Sequence, residues 1–300
     1  MKELTILDGG MGRELKRIGA PFSQPLWSAQ ALIEAPHYVT QTHQSFVDAG
    51  AQLITVNSYA CVPFHLGERL FVEQGANLAT QAAAIAKEVA VSAQHKVQVV
   101  GSLPPAFGSY RPDLFDADNA FDILNTLFIA QDQHVDAWLG ETISSIAEAK
   151  VMLKVLASTT KPCHFSFTLS DDLSGKAKLR SGELVTEAIE ILLAEEITGI
   201  FFNCSIPEVI EQALKDTQQV LQAKQKTDLD IGVFANSFTP IPKDHKANEA
   251  VQGYRDLLPL DYLGYAKQWY ALGANIIGGC CGIRPDHIKA LANWQASLIN

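Results

Sequence analysis

The sequence predicts a single-domain α/β chain, a (β/α)8 barrel over residues 1–300, and three observations carry that reading. Short runs rich in Val, Ile and Phe alternate with longer segments of helical period, the pattern of a parallel α/β fold. Eight such runs are present, the number that closes a barrel, where an open doubly wound sheet has about five to seven strands. No composition shift or Pro/Ser-rich linker divides the 300 residues, although length alone suggests about two domains.

Taken in order, the strands are read at 5–10 (TILDGG), 52–58 (QLITVNS), 97–103 (VQVVGSL) and 137–142 (AWLGET). They continue at 164–170 (HFSFTLS), 199–205 (GIFFNCS), 231–237 (IGVFANS) and 275–281 (NIIGGCC). Helical period covers 68–93, 116–134, 143–157, 183–195, 206–224, 260–271 and 285–298. A long loop is expected at 238–259, after the seventh strand.

Composition excludes several classes. A hydrophobic fraction of 47% with 19% charged residues describes a globular chain with a sizeable core. The formal charge of −10 argues against nucleic acid or an anionic membrane as partner, leaving small-molecule substrates. No segment reaches the roughly 18 apolar residues of a membrane span. The N-terminus MKELTILDGG carries Glu3 and Asp8 and lacks the apolar centre of a signal peptide. Five cysteines, an odd number without a disulfide-like framework, fit a reducing, cytoplasmic compartment. A monomer or small homo-oligomer is expected.

In a (β/α)8 barrel the site lies at the C-terminal strand ends and the loops after them. Those ends carry Asp8-Gly9-Gly10, Asn57-Ser58, Gly101-Ser102, Glu141-Thr142, Asn203-Cys204-Ser205, Asn236-Ser237 and Cys280-Cys281. On closure the eighth strand lies beside the first and two away from the sixth, so Cys204, Cys280 and Cys281 converge. Three thiolates with an open fourth position make a catalytic zinc site rather than a closed structural one. A kink at Gly278-Gly279 is expected to aim both adjacent sulfurs inward, the glycines allowing unusual backbone. Cys61 and Cys163 are read as small core residues. The eight histidines show no ligand spacing and are read as surface or core.

The stretches ILDGGMGREL, GET, FNCS and GGCCGIRPDHI occur in the order seen in the homocysteine S-methyltransferase family, which the chain resembles over about residues 4 to 298. The paired NCS and GGCCG motifs are the specific part. The resemblance implies a zinc-bearing (β/α)8 barrel that methylates L-homocysteine to methionine. It implies Cys204, Cys280 and Cys281 as zinc ligands, and Asp8, Gly9 and Glu141 as positions that hold the amino-acid end of homocysteine. With Gly10 and Asn203 these form the expected substrate-binding set, the N–H groups around Gly9 and Gly10 facing the carboxylate.

Departures from the family pattern bear on the donor. Ile283 stands where a small hydroxylated residue is common, and Thr142 stands where the betaine-dependent branch has tyrosine. The chain shows neither that branch's C-terminal arm nor a corrinoid domain. A sulfonium such as S-methylmethionine is therefore the expected donor, ahead of betaine or a cobalamin. Another acceptor, such as selenohomocysteine, is the main alternative. A non-catalytic zinc- or thiol-binding barrel would not need Asp8 and Glu141. A zinc hydrolase would need His and carboxylate ligands that these strand ends lack.

Overall fold

The computed structural model describes residues 2–241 and 253–299. The first strand, β1 (Thr5–Ile6), is followed by α1 (Met11–Arg17), α2 (Ser28–Glu34) and α3 (His37–Asp48), and then β2 (Leu53–Thr55). Next come the short α4 (Pro63–Leu66) and α5 (Glu68–Leu70), a π turn at Phe71–Gly75, and α6 (Ala76–Ser92). The alternation continues through β3 (Gln98–Leu103), α7 (Ala117–Gln131), β4 (Ala137–Ile143), α8 (Ile146–Leu156), β5 (Cys163–Phe167) and α9 (Val185–Leu192). It ends with β6 (Gly199–Asn203), α10 (Pro207–Ala223), β7 (Asp230–Phe234), α11 (Pro259–Ala271), β8 (Ile276–Ile277) and α12 (Pro285–Ile299).

The strands pair in parallel in the order β1-β8-β7-β6-β5-β4-β3-β2. The ring closes between β1 and β2 through a parallel bridge, Leu7 to Leu53. The Asp8 N–H donates to the Leu53 carbonyl there at 3.0 Å. The expected (β/α)8 barrel is the observed fold.

Strand alternation builds the site. Leu7, Leu53, Val100, Leu139, Phe201, Phe234 and Ile276 form one apolar cluster inside the barrel, against which Cys280 packs. Side chains two residues further along a strand point the same way. Above Leu53, Val100, Leu139, Phe201 and Phe234 therefore stand Thr55, Ser102, Glu141, Asn203 and Asn236. The intervening Trp138 faces outward and meets Phe128 of α7 at 4.9 Å between ring centroids.

Several boundaries differ from those read in the sequence. The region between the first two strands holds three helices that the apolar pattern did not single out. The helix read at 68–93 is observed as α5, the π turn and α6 in unbroken succession from Glu68 to Ser92, and the buried Ala79, Ala82, Ala83 and Ala86 of α6 pack against the rest of the core. The helix read from 143 starts at Ile146, because β4 runs to Ile143 and Ser145 caps α8. The Ser145 hydroxyl accepts from the Glu148 N–H, and the Glu148 carboxylate accepts from the Ser144 N–H at 3.0 Å. Half of the loop expected at 238–259, residues 242–252, lies outside the described residues; its flanks meet in an antiparallel bridge between Phe238 and Tyr254. None of the described helices is long and apolar enough to cross a membrane.

Candidate active site

Cys204 directly follows β6, and Cys280 and Cys281 follow β8. Their three sulfurs lie within 4.8 Å of one another, and Cys204 Sγ is 2.7 Å from Cys280 Sγ. The exit of β7, which stands between these strands, holds the pair in place. Ala235 accepts the Cys280 N–H at 2.8 Å, and the Cys281 carbonyl accepts the Ser237 N–H at 2.9 Å. Among the described residues no other group of three His, Cys, Asp or Glu ligand atoms is this close.

The cluster suits a soft divalent cation. Thiolates about 2.3 Å from a tetrahedral zinc stand ~3.8 Å apart, inside the span these sulfurs already cover. Hydrogen bonds from Cys204 and then Cys280 hold the Cys281 thiol well below its ordinary range. Its neighbours are pushed the other way. Cys280 rises through its hydrogen bonds to Cys204 and Cys281 and through burial. The hydrogen bond to Cys280 lowers Cys204, but bonding to Cys281 and burial outweigh it. Without a cation, three thiols this close share few negative charges; a metal is what lets all three ionise.

The kink expected at Gly278-Gly279 has a different physical basis. Neither residue uses a left-handed backbone; Gly282, at φ +86°, does. Gly278 and Gly279 are needed for close approach instead. A Cβ at Gly278 would lie 2.6 Å from the Asp8 carbonyl, and one at Gly279 would lie 2.1 Å from the Ile283 side chain. Ile283 is thus a buried plug that fills the space those glycines leave.

Two buried carboxylates share the cavity with the thiols. Asp8 accepts the Thr55 N–H at 2.8 Å and lies 3.2 Å from the Thr55 hydroxyl. Glu141 accepts the Ser102 hydroxyl. Burial pushes Asp8 up to about 8, against the Thr55 hydrogen bond and with help from the nearby Glu141 charge. Burial likewise pushes Glu141 up to about 7, partly offset by Ser102. Among the described residues neither has a basic partner, so both are poised for a cation from outside the chain.

Two of the residues expected to bind substrate have their polar groups engaged within the protein. Gly10 lines the cavity, but its N–H already donates to the Ile283 carbonyl at 2.9 Å. Gly10 is required because a Cβ there would lie 2.5 Å from the Cys280 carbonyl. Asn203 is fully buried and lies outside the lining of the cavity. Its Oδ1 accepts the Thr142 N–H at 3.0 Å and the Ser166 hydroxyl at 2.7 Å, while Nδ2 donates to the Thr142 hydroxyl at 2.9 Å. It ties strand ends together, and the polar side chain at a strand end that marked it in the sequence is equally the signature of such a tie. The Gly9 N–H, by contrast, has no partner among the described residues.

The cavity measures about 400 Å³ and is lined by Asp8, Gly9, Glu141, Cys204, Cys280 and Cys281, together with aromatic side chains that sequence reading missed. Trp27, Tyr59, His65 and Tyr110 all contribute to its wall. Tyr59 and Tyr110 lie in the loops that follow β2 and β3, a position that marks them as candidates for the barrel mouth; Trp27 arrives from a helical insertion with no such mark. Burial holds the His65 imidazole down to about 4, so it is neutral. Cys61 and Cys163 are buried, as expected of core residues, with thiols pushed up by burial to about 12 and about 11.

A (β/α)8 barrel with a thiol cluster and acidic pocket at its C-terminal mouth belongs to the class of barrel methyltransferases that act on thiols. More particularly, the chain belongs to the homocysteine S-methyltransferase family, whose family model matches residues 5–294. It is similar to homocysteine S-methyltransferase 2 of Zea mays, 28% identical over 95% of this chain and 88% of that one. It is also similar to selenocysteine Se-methyltransferase of Brassica oleracea var. italica, 27% identical over 97% of this chain and 90% of that one. Among solved structures, the metallated form of the homocysteine methyltransferase MmuM from Escherichia coli superposes with a TM-score of 0.78. That pair is 26% identical and covers 98% of this chain and 96% of the other.

Proposed function

We propose that residues 1–300 act as one homocysteine-binding domain that moves a methyl group from a sulfonium donor, such as S-methylmethionine, to the thiol of L-homocysteine. The carrying observation is the convergence of three cysteine sulfurs with two buried, cation-seeking carboxylates in one cavity. Cys204, Cys280 and Cys281 are the proposed zinc ligands. The metallated form of the Escherichia coli relative supports a metal here, and an all-thiolate donor set favours zinc among the common divalent ions.

When bound, zinc supplies a Lewis acid that keeps the substrate sulfur ionised at neutral pH, where a free thiol is only a few per cent thiolate. Cys204, Cys280 and Cys281 would hold the ion and would leave one ligand position for the substrate sulfur. Asp8 and Glu141 accept the homocysteine ammonium, and the Gly9 N–H offers a donor to its carboxylate. Held at both ends, the substrate sulfur is aligned for attack. A bond forms between that sulfur and the donor methyl carbon as the C–S⁺ bond of the donor breaks. The donor leaves as a neutral thioether, and the thiol proton has already passed to solvent on binding. The chain's free cysteines suit the reducing cytoplasm.

The likeness to a selenocysteine Se-methyltransferase favours a selenol as second acceptor. Zinc-loaded protein assayed with homocysteine and selenohomocysteine against S-methylmethionine, S-adenosylmethionine, betaine and methyltetrahydrofolate tests both readings. Methionine formation from S-methylmethionine is expected; turnover only with betaine or a folate overturns the donor assignment.

A further inference from the structure

The cavity is electrically polarised along its length. Its inner end holds the thiols, Asp8 and Glu141, all negative or able to become so. Its rim carries Arg13 and Lys16, three residues apart and therefore on one face of α1. Arg13 places its guanidinium carbon 4.0 Å from the centroid of the Tyr254 ring. That contact holds the guanidinium against the ring as a cation. The Arg13 Nε is buried without a hydrogen-bond partner. Among the described residues no carboxylate pairs with Arg13 or Lys16. The contrast with Arg17 on the same helix is direct, since Glu14 holds that guanidinium through two hydrogen bonds of 2.8 and 2.6 Å.

A half-buried guanidinium with an unanswered donor is costly unless a ligand supplies an anion, and a carboxylate matches its planar fork. Homocysteine already has its sulfur and ammonium assigned to the inner end. A cavity of about 400 Å³ lies in the range that holds a drug-sized ligand, so a second amino acid fits beside it. We infer that Arg13, supported by Lys16, binds the carboxylate of the methyl donor and makes the protein select cationic donors that carry one. This rests on the methyl transfer proposed above. A donor with its sulfonium inward and carboxylate outward follows the field of the cavity; a cation lacking the carboxylate leaves the Arg13 Nε donor unanswered.

The test compares S-methylmethionine with its decarboxylated counterpart, (3-aminopropyl)dimethylsulfonium, on zinc-loaded protein. Calorimetry without homocysteine reads donor binding, and steady-state kinetics reads turnover. In the unaltered protein S-methylmethionine is expected to bind about 10- to 100-fold more tightly than the decarboxylated sulfonium. Arg13→Gln removes that preference by weakening only the carboxylated donor, with zinc content and homocysteine affinity unchanged, and Arg13→Lys restores part of it. Equal losses for both sulfoniums, a loss that falls on homocysteine instead, or no binding of either sulfonium overturns the inference. Arg13-dependent binding of S-methylmethionine without turnover leaves the inference standing and removes the proposed reaction. Turnover of S-methylmethionine with an unchanged donor KM in Arg13→Gln does the reverse.

Discussion

Asn203 grips Thr142 through both ends of its carboxamide, accepting the backbone N–H at 3.0 Å and donating to the hydroxyl at 2.9 Å. Thr142 follows Glu141 in the chain, and Cys204 follows Asn203. Both Thr142 (φ +58°) and Cys204 (φ +50°) sit in the left-handed region, which costs a non-glycine residue about 1–3 kcal/mol and persists only where surroundings enforce it. The Asn203–Thr142 pair is that enforcement, and it links the acidic part of the site to the thiol part.

Replacing Asn203 with Leu is accordingly expected to destabilise the fold by about 2–4 kcal/mol, by stranding buried donors and acceptors on Thr142 and Ser166. It should also weaken zinc and homocysteine together, although Asn203 touches neither. Chemical denaturation, zinc titration and homocysteine calorimetry on this variant check it. Unchanged affinity for both ligands would show that the strand ends hold their geometry without the pair.

The thiol cluster predicts about one zinc per chain. Serine at Cys204, Cys280 or Cys281 should lower metal content and abolish turnover. Alanine at Cys61 or Cys163 should leave both nearly intact, since these thiols are buried in the core away from the cluster, Cys163 donating only to the Lys161 carbonyl. Metal analysis of the five variants separates the groups. Full zinc in Cys280→Ser would sink the ligand assignment.

Glu141→Gln keeps the shape and the bond from Ser102 but removes the charge. Zinc should be retained, homocysteine binding should weaken by roughly 10- to 150-fold, and 2-mercaptoethanol, which has no ammonium, should be affected far less. The same change should stabilise the protein at alkaline pH. Glu141 titrates near 7 in the fold against 4.5 outside it, so its stabilising share is complete below about 4.5 and lost as pH rises through 7. At pH 8 the charged form is therefore a burden, and its removal should raise stability by on the order of 2 kcal/mol. Melting curves at pH 5 and pH 8 check the sign: the gain should appear only at the higher pH.

Homocysteine affinity should itself depend on pH. The ammonium is bound by the ionised forms of Glu141 and Asp8, whose values stand at about 7 and about 8. Affinity should rise from pH 6 to pH 8 with proton release on binding, and Asp8→Asn should remove the upper part of that rise. Calorimetry in buffers of different ionisation enthalpy measures the protons directly. Because the substrate thiol releases one proton of its own, a release of one proton that Asp8→Asn and Glu141→Gln both leave unchanged would mean that the two carboxylates are already ionised in the free protein.

The order of eight strands, the convergence of Cys204 with Cys280 and Cys281, and the acidic pair Asp8 and Glu141 were all legible in the sequence. The reason is period: side chains alternate along a strand, a parallel barrel gathers its strand ends at one mouth, and polar residues beyond an apolar run must emerge there. Family membership was legible for a related reason, because the NCS and GGCCG motifs are local stretches that carry their chemistry in the residue types themselves.

Which of those polar residues face the cavity was decided only by the tertiary structure. Asn203 and Glu141 read alike as polar groups at strand ends, yet one is consumed by Thr142 and Ser166 while the other is left without a cation. Gly10 reads like Gly9, yet its N–H is taken by Ile283, some 270 residues away in the chain. Arg13 and Arg17 lie on one short helix; the pairing of Arg17 with Glu14 is a local i,i+3 contact, whereas the contact of Arg13 with Tyr254, far off in the chain, is made only by the closed barrel. Partner assignment is a property of three-dimensional proximity: each buried donor and acceptor bonds whatever the closed barrel brings within reach, and no local pattern encodes that choice.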